Sequence, residues 1–66
     1  MSNVLDRYAE FRKTIASMFS TVTQQMVDAA LQYADKHLEG QVRYDGTPML
    51  DHAVGVANIE IGRAHV

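Results

Sequence analysis

The apolar positions of the first third, Val4, Tyr8, Phe11, Ile15, Met18 and Val22, are separated by steps of 4, 3, 4, 3 and 4. Such spacing draws one stripe along a helix, and Asp6, Arg7, Glu10, Arg12 and Lys13 occupy much of the remaining circumference. It predicts a first helix over about 5–19. The hydroxyl-rich, β-branched run Ser20-Thr21-Val22-Thr23 is a poor helix interior but supplies N-caps, with Thr21 or Thr23 expected to start a second helix. Met26, Val27, Ala30, Leu31, Ala34 and Leu38 carry the next stripe and predict a helix over about 23–38. The alanines between its larger residues leave room for a neighbouring helix. Gly40 is expected just past the end in a left-handed conformation, and Lys36 and His37 suit the negative end of the helix dipole.

Asp45-Gly46 signals a turn. No alternating strands flank it, so it reads as a tight helix-to-helix connection. Thr47 is expected to cap a third helix, over about 48–60, with Pro48 at the first position, where its missing N–H is harmless. On that helix Met49, His52, Val56 and Ile59 share one face, while Leu50, Val54 and Ala57 share the adjoining one. The run Ile61–Val66 breaks the stripe and offers no capping motif. The expected fold is all-α, three helices in one small unit, with no internal repeat and nothing to mark a second domain.

Length sharpens this picture. A chain of 66 residues buries only about 60% of the surface its unfolded form exposes, and many chains of that size add disulfides or a structural metal. There is no cysteine, which excludes disulfides and thiolate metal sites. The chain is therefore expected to be an economical helical bundle, an oligomer, or a piece of something longer. A net charge of −2 gives no basic stripe for nucleic acid. No apolar run approaches the roughly 20 residues of a membrane helix, and Met1–Arg7 lacks the basic start and apolar core of a signal peptide. The cytoplasm is the expected compartment, with no nucleic-acid or membrane partner; the oligomeric state is left open.

Two residues stand out chemically. Neutral imidazole is the commonest metal ligand, and His52 lies within an apolar helix face where it would be well held; a core histidine bonded to a carbonyl is the competing reading. A metal site needs three or more protein ligands, and no second histidine or carboxylate stands at a suggestive spacing. Asp51 is adjacent, but successive helical residues point about 100° apart. Arg43 carries a planar, permanent charge able to stack on a base or fork onto a phosphate, against the commoner role of a solvated loop arginine. Tyr44 could stack on a ring or cap the core. His37 reads as a helix-end residue and the four methionines as core filler.

Gly40-Gln41, Arg43, Asp45-Gly46-Thr47-Pro48, His52 and Val56-Ala57 fall in one ordered pattern. Over Ala34–Ala57 that pattern resembles the start of the hydrolase domain of the RelA/SpoT family, the bifunctional synthetases/hydrolases of the alarmone (p)ppGpp in the stringent response. The resemblance implies an HD-type helical domain. It implies that His52 is the first metal-binding histidine of a manganese site acting on the 3′-pyrophosphate. It implies that Arg43 packs on the guanine base of the guanosine nucleotide. Leu38 and Ala53 depart from the histidine and proline frequent in the family, and Tyr44 stands where a basic residue is frequent. The His-Asp pair that names the domain and the distal aspartate are not in the sequence. The chain is thus expected to be an N-terminal fragment, residues 1–59, without hydrolase activity of its own. Glu60–Val66 resembles the translation of a sequencing-library adapter and is expected to be a non-native tail. About 20 residues of helix before the Gly-Gln helix favour a long bifunctional parent. Two alternatives are a small non-enzymatic helical interaction module and another HD-type phosphohydrolase.

Overall fold

The computed structural model describes residues 3–64, and among them the fold is all-α: α1 (Val4–Arg7), α2 (Ala9–Met18), α3 (Thr21–His37) and α4 (Met49–Ala64). The helix predicted over 5–19 is therefore two helices. The break lies at Tyr8, whose φ of −109° and ψ of 32° leave the helical region. Separate tertiary anchors act around that point. Val4 is buried with Leu31 and Leu50, Arg7 pairs with Asp35 of α3, and Ile15 is buried further along α2. An unbroken stripe cannot show such a kink, because the pull comes from elements far along the chain.

The caps follow ordinary physical chemistry at positions the pattern only bracketed. Asn3 accepts the Leu5 N–H at 2.9 Å and opens α1. Ser20, in extended conformation, accepts the Thr23 N–H at 3.2 Å and opens α3, so the cap is the serine and neither threonine. At the far end Leu38 donates to the Ala34 carbonyl at 2.8 Å and Gln41 to that of Leu38 at 3.0 Å. The chain reverses through Gly40 at φ +77°, a conformation that costs glycine little.

The core centres on a cluster of Val4, Leu31 and Leu50, with Tyr8, Phe11, Val27 and Val54 packed around it, and Ile15 is buried apart from that cluster on α2. Arg12 forks onto Asp28 with bonds of 2.7 and 2.8 Å, joining α2 to α3. In α4 the Leu50, Val54, Ala57 face turns inward and Ile61 continues it by another step of four. This corrects two expectations. The helix does not stop near 60 but runs to Ala64, and Ile61 extends a stripe that the tail was expected to break. Each added residue closes one more hydrogen bond once the helix exists, and Arg63 bonds Glu60 at 3.2 Å one turn back. Helical geometry is open to many sequences and does not bear on the origin of Glu60–Val66, whose last two residues lie outside the described ones. No helix among the described residues is long and apolar enough to cross a membrane.

Candidate functional site

Between α3 and α4 the chain makes a closed loop. Gly46 N–H donates to the Arg43 carbonyl at 2.9 Å, Arg43 N–H to the Thr47 carbonyl at 2.8 Å, and Met49 N–H to the Gln41 carbonyl at 3.0 Å. Gly46 sits at φ +86°, and Val42 and Pro48 form an antiparallel bridge. This is a miniature hairpin: a turn over Arg43–Gly46 whose last residue is a left-handed glycine, the arrangement of a three-residue loop with a glycine bulge. The expected helix-to-helix connection thus contains a hairpin after all, one bridge long and without strands. Asp45 adds a side-chain bond, its Oδ1 accepting the Thr47 N–H at 3.0 Å. Bonds from Thr47, backbone first and side chain second, hold the Asp45 carboxyl below the usual carboxylate range.

That hairpin consumes Thr47. Its carbonyl is bonded to Arg43, so the helix starts one residue later, at Met49, with the Pro48 carbonyl accepting the His52 N–H at 3.4 Å. Thr47 does not cap α4 and Pro48 precedes it.

Arg43 lies half-buried on the hairpin with its guanidinium 5.5 Å from the centre of the Tyr44 ring. Tyr44 is 94% exposed, so it does not cap the core. No carboxylate lies within ion-pair distance of Arg43 among the described residues. His52, one turn into α4, is exposed, and so are Val56 and Ile59 on the same side. An inward-facing histidine was expected; the reason it is outward is rotational. Leu50 enters the core, and a residue two positions on stands about 200° round the helix. The structure therefore puts Arg43 and His52 on adjoining elements, hairpin and first helical turn, with no hydrogen bond between them.

Residues that the sequence did not single out also gather here. Tyr8 donates from its hydroxyl to Asp51 Oδ1, linking the α1–α2 break to the first turn of α4. Burial pushes the Tyr8 phenol up to about 12, with the Asp51 carboxylate adding to the effect. A tyrosine on a helical stripe and an acid in a first turn, 43 positions apart, leave no signal in a single sequence that they meet.

A cleft of about 580 Å³ opens between α1, the end of α3 and the hairpin. Some of the polar groups on its wall are already bonded: Arg7 pairs with Asp35 at 2.5 Å, and Gln41 Nε2 donates to the His37 carbonyl at 3.3 Å. A second, apolar groove of about 220 Å³ runs between α3 and α4, lined by Ala30, Leu31, Ala53, Val54 and Ala57 among others.

A manganese site needs more than this chain offers. No group of three or more His, Cys, Asp or Glu side chains among the described residues could hold a metal ion. Asp51, the nearest acid in sequence to His52, is committed to Tyr8. The residues present do not by themselves fit the metal, and no chemical step runs through it here. Comparison with protein-family models, with curated proteins and with solved structures finds no match to this chain.

Proposed function

We propose that this chain is the N-terminal part of a RelA/SpoT-type (p)ppGpp hydrolase domain, from a cytoplasmic parent that turns over guanosine nucleotides. The observation that carries the reading is the ordered pattern Gly40-Gln41, Arg43, Asp45–Pro48, His52, together with the rigid hairpin built from those same residues. A loop locked by backbone bonds on both sides of its turn offers Arg43 at little entropic cost to a planar or anionic ligand. In the parent, His52 is read as one ligand of a metal that other helices would complete, and the outward Val56–Ile59 stripe as the face those helices cover. Alone, the chain hydrolyses nothing, because one imidazole cannot hold a catalytic ion.

The test is an NMR titration with ppGpp. Shifts confined to Arg43–Thr47 and abolished by Arg43→Ala are expected, with no pyrophosphate released when manganese is added. Shifts spread evenly over the surface, or persisting in Arg43→Ala, would remove the nucleotide reading. Continuing the gene beyond Ile59 should reach a His-Asp pair; a frame that ends without one favours the second reading.

That second reading is a non-enzymatic helical interaction module. It draws on the outward apolar side chains, Met26 and Tyr33 on α3 and Val56 and Ile59 on α4, each between 45% and 68% exposed. Sedimentation equilibrium at micromolar to millimolar concentration tests it through self-association.

A further inference from the structure

We propose that Tyr8 is a positioning residue: its hydrogen bond to Asp51 sets the rotation of α4 about its own axis, and so the direction in which His52 is presented. The inference stands whatever ligand, if any, His52 takes.

α4 is attached to the bundle through few points. Leu50 is buried in the common cluster, and Val54 packs against that cluster. Apolar contacts are non-directional. They fix how close α4 lies to α1 and α3 but tolerate a roll of the helix about its axis. Asp51 follows Leu50 and stands about 100° further round. Its carboxylate receives the Tyr8 hydroxyl, a directional bond to a charged acceptor. The Met49 N–H, bonded to the Gln41 carbonyl at 3.0 Å, holds the start of the helix to the hairpin. With it, these two anchors on consecutive residues, one inward and one lateral, complete the rotational setting. His52, the third residue in that series, is then carried about another 100° and faces outward.

The far end of the bond is itself held. Tyr8 packs against the core cluster, and the Arg7 guanidinium lies 5.8 Å from the centre of its ring while bonded to Asp35 of α3. The backbone also leaves the helical region at Tyr8, the residue that makes the bond. The phenol thus reaches Asp51 from a braced position.

Substitutions in the 66-residue chain test this by two-dimensional NMR. Tyr8→Phe keeps the ring in the core and removes the donor. The His52 ring signals and the amides of Asp51–Ala53 should move, and first-turn amides of α4 should exchange about 5-fold faster, the scale of one lost hydrogen bond. The ring signals of His37, at the C-terminal end of α3 and held against the Tyr33 ring, should stay in place. Asp51→Ala, at an exposed position, should reproduce the same pattern. Asp51→Asn keeps an accepting oxygen while losing the charge, and should restore the His52 signals. The proposal is overturned if Asp51→Ala leaves the His52 ring unmoved. It is equally overturned if Asn behaves as Ala does, or if His37 and the core shift as much as His52, which is general loosening. Should Tyr8→Phe fail to fold, the Asp51 pair decides alone.

Discussion

α3 and α4 are nearly the same length and are held in different ways. α3 is gripped from two sides: Leu31 is buried in the core, Arg12 of α2 forks onto Asp28, and Arg7 of α1 pairs with Asp35. α4 buries Leu50 and leaves Val56 and Ile59 outward, and its first turn is secured by the hairpin and the Tyr8 bond. The central helix is fixed by packing plus charge. The helix carrying the candidate ligand is fixed by a few directional bonds near one end. The difference teaches that consecutive residues of α4 divide the work: Leu50 stabilises, Asp51 orients, His52 is left available.

The largest expected effects separate those roles. Leu31→Ala and Leu50→Ala each cost about 2–5 kcal/mol by removing core volume, enough to threaten a chain this small. Circular dichroism should show Leu31→Ala losing helix throughout. In Leu50→Ala, hydrogen exchange should accelerate in α4 before α3. Equal loosening of both helices would erase the contrast between them.

Next comes alkaline pH. The Tyr8 phenol holds its proton more tightly folded than unfolded, with a folded value of about 12 against an ordinary 10. Its contribution is complete below pH 10 and is lost as pH rises towards 12, since the unfolded chain ionises first. Thermal melts should fall across that window, and Tyr8→Phe should flatten the decline. Gly46→Ala forces a side chain into positive φ and should cost about 1 kcal/mol, with the loop amides exchanging faster.

Smaller changes finish the series. Asp28 is held below the ordinary carboxylate range by its bonds from Arg12. Its contribution is present above the unfolded carboxylate value and is lost as pH falls through the lower, folded one. Asp28→Asn should therefore narrow the gap in melting temperature between neutral and acid pH. His52→Ala, at an outward position, should leave the melting temperature within the change expected of about 0.5 kcal/mol. A large loss there would mean the imidazole is structural.

The sequence by itself determined the all-α class, the span of α3 and α4 to within a few residues, and the reversal at Gly40. These depend on local periodicity, backbone preference and capping chemistry, each legible within a few positions. It also carried the pattern around Arg43 and His52 as residue types in order. Tertiary structure alone decided the break at Tyr8 and the outward turn of His52, whereas the hairpin that takes Thr47 away from α4 is local, its bonds lying within Gln41–Met49. Helical spacing says which side chains share a face but not which of two adjoining faces meets the core. That choice belongs to Leu50 finding Val4 and Leu31, and to Tyr8 finding Asp51, pairings between distant positions that one chain read in order does not contain.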